Sequence, residues 1–483
     1  VSIVKTIAQE SNVVNSQRRL LGKDGLKNNP IHFIGIGGIG MSSIAAILSG
    51  QGYIITGSDI KESPVTQRLA AKGIKVFSGH NADYLCDAKI VVYSSAIKQD
   101  NTELRAAKER GLILMHRSQA LAELMQDKTC IAIGGAHGKT TTTALTGHLL
   151  RYAGFHPTLA AGGIAHNLGD NSCLGNSEYF VAEADESDGT LLYYYPAYSI
   201  VTNIDREHLD YYKSWQDMLE AYKEFISHTK ENGGLFCCGD DKSIRQITRG
   251  YQKKITYFGL SEDNDFYPKN IILNEFSSEF SYYYKGKAIG KARLPLSGKH
   301  NISNSLAVIA LGCELGIGRK NIEEALSSFK GTERRFQLKL DSGGIRIIDD
   351  YGHHPSEIMA TLQAAKNVAH SRLIVVFQPH RYSRTMHLME EFTESFGAAD
   401  YLMLTDIYAA SEKPVEGVSS QVLYERIKEK FPAKEVCYIQ KDRIVEHLLS
   451  VVRQKDLILT LGAGDIGSIS NELVKRIKSE DTF

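Results

Sequence analysis

A strand-length apolar run, Thr129–Ile133, passes through Gly134-Gly135-Ala136-His137-Gly138 into Lys139 and four consecutive threonines. A buried strand that ends in glycines and restarts as a helix is one β–loop–helix unit, and it commits this part of the chain to an α/β layer. Backbone N–H groups of such a loop cradle phosphates, the lysine reaches the β/γ oxygens, and the Thr140 hydroxyl can coordinate Mg²⁺. The spacing departs from GxxxxGK[ST], whose first glycine would fall at Ile133, so Gly134 and Gly135 provide a shorter loop. The competing reading is a glycine-rich turn with an incidental lysine. Strand, loop and helix start coincide here, which favours an ATP site.

The same alternation recurs on both sides. Strands are expected at Ile31–Ile36, Tyr53–Thr56 and Lys89–Tyr93, then at Tyr179–Ala184, Ser199–Asn203, Gly234–Cys238 and Ile255–Phe258. A third series follows at Ile345–Ile348, Leu373–Phe377, Tyr401–Leu404, Val436–Ile439 and Leu457–Leu461. Between Phe276 and Leu296 aromatic, Ser and Lys residues alternate, which predicts a small antiparallel meander. A chain of 483 residues accommodates about three domains. The expected fold class is therefore α/β in three domains: a Rossmann-like one over 31–126, a central P-loop unit with the antiparallel portion over 127–330, and a second Rossmann-like one over 331–483. Residues 1–30 lack apolar periodicity and read as an N-terminal extension.

Lys+Arg and Asp+Glu both total 56, so no overall positive field exists to hold nucleic acid or an anionic membrane. Seven cysteines without CxxC pairing read as free thiols in a reducing compartment, and no apolar stretch approaches membrane-spanning length. A soluble, cytoplasmic, multidomain protein with neither a nucleic-acid nor a membrane partner is expected; oligomerisation is not predicted.

At the end of the first strand Gly35, Gly37 and Gly40 form GxGxxG, and Asp59 closes the second strand 19 residues after Gly40, where a ribose-binding acid would sit. The loop specifies a pyrophosphate rather than nicotinamide, so NAD and other nucleotide diphosphates both satisfy it. Downstream of the lysine loop, Glu183, Asp185, Glu186 and Asp188 end one strand, while Asp205, Glu207, His208 and Asp210 follow the next. One or two of these would serve Mg²⁺, which keeps several waters. In the last domain Asp349-Asp350-Tyr351-Gly352-His353-His354 and Gln378-Pro379-His380-Arg381-Tyr382-Ser383-Arg384 follow adjacent strands. Arg381 and Arg384 suit a carboxylate, and His353 and His354 could orient or stabilise charge, a helix cap being the plain alternative for either histidine.

Nine segments in order resemble the Mur ligases of bacterial peptidoglycan synthesis: GIGGIGMS at 35–42, GAHGKTTTTA at 135–144, EADESD at 183–188, NIDREHLD at 203–210, GKHNISNSLA at 298–307, RRFQ at 334–337, DDYGHHPSE at 349–357, QPHRYSRT at 378–385 and LGAGDIG at 461–467. The resemblance implies an ADP-forming amide ligase that joins L-alanine to the lactyl carboxylate of UDP-N-acetylmuramate through an acyl phosphate. It implies that Gly35, Gly37, Gly38, Gly40, Met41, Asp59, Ser95 and Ala96 hold the UDP substrate. ATP would meet Gly135, Ala136, His137, Gly138, Lys139, Thr140, Thr141, Asn301, Arg335 and Asp350. Thr140, Glu183 and His208 would serve two Mg²⁺ ions, with Mn²⁺ able to substitute, and Tyr351, His353, Arg381 and Arg384 would form the amino-acid and acyl-phosphate site. Lys139, Glu183, His208, His353, Arg381 and Arg384 carry the expected catalysis. Ala136 departs from the family's usual threonine, which spares the backbone cradle. The rivals are an NAD-dependent oxidoreductase, a non-enzymatic ATP-driven switch, and a family member that attaches a recycled tripeptide.

Overall fold

Short parallel strands buried on both faces must be apolar throughout, and the apolar runs of this chain become such strands. The computed structural model describes Leu21 and residues 27–208, 211–410 and 412–479. Most of the extension and Asp210 lie outside the described residues; within it, Leu21 is buried and its N–H donates to Glu123 Oε2 at 2.6 Å.

The first sheet contains β1 (Ile31–Ile34), β2 (Ile55–Asp59), β3 (Lys75–Ser78), β4 (Ile90–Tyr93) and β5 (Ile113–His116) in the order β3-β2-β1-β4-β5, all parallel. The order reverses between β1 and β4, so the crevice at their carboxyl ends is the expected ligand position of a doubly wound sheet. β2 ends three residues later than its apolar pattern suggests, because Gly57 and Ser58 continue in register beside β1 and Asp59 beside β3 despite weak strand propensity.

The second sheet is built on β6 (Thr129–Gly134), β7 (Thr158–Ala165), β8 (Asp170–Cys173), β9 (Tyr179–Glu183), β10 (Tyr198–Val201), β11 (Gly234–Cys238) and β12 (Ile255–Phe258). It is extended by β13 (Phe266–Leu273), β14 (Ser278–Tyr284) and β15 (Lys287–Leu294), giving the order β15-β14-β13-β12-β11-β10-β6-β9-β7-β8. β6 sits between β10 and β9, parallel to both, so the lysine loop and the two acidic strand ends leave the sheet at one edge. β14 and β15 are joined by only Lys285-Gly286, a connection that antiparallel neighbours allow. The hairpin β7–β8 is antiparallel and packs on the helix Ile39–Gly50, where Asn171 Nδ2 donates to Ile39 O at 2.7 Å and to Ser42 Oγ at 3.1 Å.

The third sheet runs β16 (Gln337–Ser342), β17 (Ile345–Asp350), β21 (Asp456–Leu461), β18 (Arg372–Phe377), β19 (Tyr401–Leu404), β20 (Glu435–Tyr438), with only β16 antiparallel to its neighbour. Alternate residues of β18 enter opposite cores. Val375 and Phe377 pack with Ile348, Leu402 and Leu459, whereas Ile374 and Val376 pack with Ile347, Met403 and Ile458. By internal contacts the chain divides into two compact units. One holds Val1–Lys269, Ser281–Ala292 and Ser303–Lys330; the other holds Asn270–Phe280, Arg293–Ile302 and Gly331–Phe483.

Candidate active site

In the first unit the strand β1 runs into Gly35, whose φ of +76° turns the chain without a side-chain penalty. Gly35 and Ile36 donate their N–H groups to Ser58 O, and Gly37 N–H donates to Asp59 Oδ2 at 2.8 Å. Asp59 thus braces the loop with one carboxylate oxygen. A side chain at Gly37 would begin 2.8 Å from that oxygen and would displace the carboxylate that braces the loop. Gly38 begins the helix Ile39–Gly50 without a side-chain cap, which leaves first-turn N–H groups of Ile39, Gly40 and Met41 for a ligand. Met41 itself is buried beneath the loop. Of the pair after β4, Ala96 is exposed, and Ser95 Oγ donates to Asp188 Oδ2 at 2.9 Å.

The lysine loop is held from behind by the end of β10. Ala136 N–H donates to Asn203 O, His137 N–H to Asn203 Oδ1 at 2.8 Å, and the Thr202 hydroxyl to His137 O at 2.6 Å. His137 Nε2 pairs with Asp205 Oδ2 at 2.9 Å. Gly135 (φ +133°) lies so close to Thr202 that a Cβ would fall 2.0 Å from its Oγ1. Gly138 adopts φ +81° against the Asn304 side-chain amide and opens the helix Lys139–Tyr152. Lys139 Nζ donates to Gly135 O at 2.6 Å and to Glu186 Oε1 at 2.8 Å. Thr140 Oγ1 donates to Glu183 Oε1 at 3.1 Å, and Gly162 N–H donates to the second oxygen of the same carboxylate at 2.6 Å. Thr141 is buried in the first helical turn.

Burial sets the charges here. It pushes Glu183 upward, against Lys139 and the Gly162 N–H. It pushes Glu186 up to about 8, with Lys139 opposing and Asp185 adding to the rise. Against the same burial, Arg117 and Lys139 hold Asp185 well below its ordinary value, and the carboxylates hold Lys139 in its charged form. His208 (φ +54°) stands 3.7 Å from both Glu186 and Glu207. Ligand atoms of Glu186, Glu207 and His208 all lie within 4.8 Å of one another. Carboxylate and hydroxyl oxygens with one imidazole suit a hard divalent cation. Glu183 is engaged by Thr140 and Gly162, while His208 stands beside Glu186 and Glu207.

In the second unit, β17 ends at Asp350, buried, with both oxygens in use. Oδ1 accepts from Gly352 N–H at 2.8 Å and Thr361 Oγ1 at 3.1 Å, and Oδ2 accepts from Phe336 N–H at 2.6 Å. The Arg334 and Arg335 guanidiniums lie 5.3 and 5.2 Å from the Tyr351 ring centre, and Arg335 also reaches Glu357. His353 Nδ1 meets Tyr351 O at 3.1 Å, and the His353 ring lies 5.7 Å from that of His380. His354 is the helix cap: it is buried, precedes Pro355, and forms a reciprocal capping box with Glu357. Arg381 starts the helix Tyr382–His387 with φ +70°, its N–H on Tyr408 O. Arg384 Nη1 donates to His380 Nδ1 at 3.2 Å, and His380 stacks on Tyr408. Burial, helped by His353 and Arg384, holds the His380 imidazole down to about 3, so it is neutral. Tyr351, His353, Arg381 and Arg384 therefore gather around His380, which the sequence motif contains without marking. Asn301, in the helix Lys299–Glu314, donates Nδ2 to Ser297 O at 2.8 Å.

Three family models cover the chain: the Mur ligase catalytic domain at residues 30–129, the middle domain at 133–312 and the glutamate ligase domain at 334–464. The chain belongs to the Mur ligase family. Within it, the chain is 46% identical over 454 residues to a protein of Pelotomaculum thermopropionicum named UDP-N-acetylmuramate–L-alanine ligase, covering 94% of this chain and 98% of that one. A protein of the same name from Solibacter usitatus is 43% identical, with 93% and 96% covered. Among solved Mur ligases, the UDP-N-acetylmuramate–alanine ligase of Thermotoga maritima superimposes with a TM-score of 0.81 at 29% identity, covering 93% of this chain and 99% of that one. A murein peptide ligase from Psychrobacter arcticus gives 0.71 at 25% identity, with 93% and 98% covered. Three groups that touch the loops or their acids are not singled out by the sequence: Arg117, which pairs with Asp185 and Asp188 with no glycine or acid pair to announce it, the Gly162 N–H on Glu183, and Asn304, which lies inside the 298–307 segment.

Proposed function

We propose that this Mur ligase is an ADP-forming ligase that joins L-alanine to the lactyl carboxylate of UDP-N-acetylmuramate. The observation that carries this reading is the match along 93–94% of the chain to relatives of that name, in a molecule whose lysine loop faces a carboxylate cluster. The loop Gly35–Gly40 with Met41, Asp59, Ser95 and Ala96 takes the UDP moiety, and Gly135–Thr141 take the ATP phosphates. Asn301, Arg335 and Asp350 serve the nucleoside side; the boundaries 31–126, 127–330 and 331–483 are retained for the three domains.

A carboxylate is a poor electrophile, so its oxygen first attacks the γ-phosphorus of ATP and ADP leaves with the bridging oxygen. Lys139 and the loop N–H groups neutralise charge that spreads over the phosphoryl oxygens. Thr140, Glu183 and His208, with Glu186 and Glu207 beside the histidine, would hold Mg²⁺, which when bound supplies further neutralisation of those oxygens. The neutral alanine amine then attacks the acyl carbon, the amine gives up a proton, and inorganic phosphate departs from the tetrahedral intermediate. Arg381 and Arg384 hold the amino acid's carboxylate, and His353 stabilises charge or carries a proton beside them. A cytoplasmic setting fits these substrates; no helix among the described residues is long and apolar enough to cross a membrane.

The test is phosphate release from ATP with UDP-N-acetylmuramate, with and without L-alanine, and the mass of the product. Release that depends on alanine and on a divalent cation, with a product heavier by one alanyl residue, supports the reading. Release driven instead by a tripeptide would move the chain to the recycling branch of the family, and release indifferent to any amine would overturn a ligase.

A further inference from the structure

Arg117 stands at the first position of the helix Arg117–Met125, where β5 ends at the carboxyl edge of the first sheet. Its guanidinium is largely buried, and one nitrogen, Nη2, donates to Asp185 Oδ2 at 2.9 Å and to Asp188 Oδ2 at 3.0 Å. Ser95 Oγ donates to the same Asp188 oxygen at 2.9 Å. The other terminal nitrogen, Nη1, lies against the third glycine of the first loop: a Cβ on Gly40 would fall 3.1 Å from it. Nη1 thus stands beside the first turn of the helix Ile39–Gly50, whose N–H groups have no carbonyl within their own helix to accept them.

Burying one cation between two carboxylates contributes little to stability once desolvation is counted. The geometry has a different use. Two aspartates clamp one edge of a planar guanidinium, which fixes its plane and aims the opposite edge at the place where loop N–H groups already converge on an anion. Without that cation, Asp185 and Asp188 would present two negative charges to any phosphate in the loop. We infer that Arg117 is a binding residue for the diphosphate of the sugar nucleotide, its Nη1 edge donating to the phosphate and Asp185 and Asp188 holding it in position. This assignment rests on the first loop being the sugar-nucleotide site. It also accounts for a glycine at position 40, since a methyl group there would push the guanidinium aside.

The test is calorimetric binding of UDP and of UMP, which lacks the second phosphate, to the full-length protein and to Arg117→Ala and Arg117→Lys. Wild type should prefer UDP. Arg117→Ala should weaken UDP binding by roughly 100-fold while UMP changes far less, so that the preference collapses. Arg117→Lys keeps the charge but cannot bridge two carboxylates and a phosphate in one plane, and should lose about tenfold. Binding of a non-hydrolysable ATP analogue should stay within about threefold in both variants, which separates the assignment from a general loss of structure. If Arg117→Ala does not fold, the lysine variant carries the test alone. Equal weakening of UDP and UMP, or an unchanged UDP affinity, would overturn the role of Arg117. A wild-type protein that binds neither nucleotide would instead overturn the sugar-nucleotide reading of the loop.

Discussion

Lys139 is tied to the backbone of its own loop and to a buried carboxylate, so its ammonium is fixed at the mouth of the proposed phosphate loop. Lys139→Ala should lower single-turnover phosphate release by about 10²–10³-fold, the scale of losing one preorganised charge partner. Near-normal release would remove Lys139 from the chemistry. His380 gives a pH signature. Its folded value is held down to about 3, whereas an unfolded histidine titrates near 6.5. Between those limits the unfolded chain binds a proton that the folded one does not, so stability is full above about pH 6.5 and is lost as pH falls. The denaturant midpoint of unfolding should therefore fall as pH is lowered below about 6.5, and His380→Gln should flatten that dependence. At this scale the motifs carried far. Glycines, lysine and strand-end acids could be named from chemistry alone, because their spacing along the chain is the spacing that the chemistry needs. Arg117 and His380 could not, since each matters through partners about seventy or about thirty residues away in sequence that only folding brings near.

The strands that apolar runs announced are those buried on both faces, such as β6, β10 and β18, whose central residues are mostly apolar. Among those that escaped notice, β3, whose Lys75 is exposed, β5, β8, which reads Asp-Asn-Ser-Cys, and β16 lie at sheet edges, whereas β7 is internal and buried over Thr158–Ala161 and escaped because its Ala- and Gly-rich sequence makes no bulky apolar run. Their pairing is dictated by neighbours and leaves no apolar run to read. The lysine loop belongs to this scale too, because its shape is imposed by the end of β10 behind it. Gly135→Ala should cost about 1–3 kcal/mol in backbone strain alone and displace the Thr202 hydroxyl that anchors His137 O. Chemical denaturation together with ATP-analogue binding checks both effects; unchanged binding would show that the cradle tolerates a methyl group at that turn.

Across the molecule all seven cysteines are free, with Cys86 and Cys313 exposed and Cys130, Cys237 and Cys238 buried. Burial pushes the Cys130 thiol up to about 12, so it should stay inert while the protein is folded. An Ellman titration of native protein should show the exposed pair reacting first and reach seven only on unfolding; a full count in the folded state would contradict this burial. Ten non-glycine residues among those described hold a positive φ, and four of them, His208, Arg334, Phe336 and Arg381, belong to the two clusters assigned to substrates. Backbone strain that a glycine would relieve is thus present in both clusters proposed to carry function. A laboratory selection for heat resistance alone would be expected to accept Arg381→Gly, which relaxes φ +70° while deleting the guanidinium. The survivors would be tougher proteins stripped of the proposed amino-acid grip, and ranking variants by melting temperature would mistake that loss for improvement.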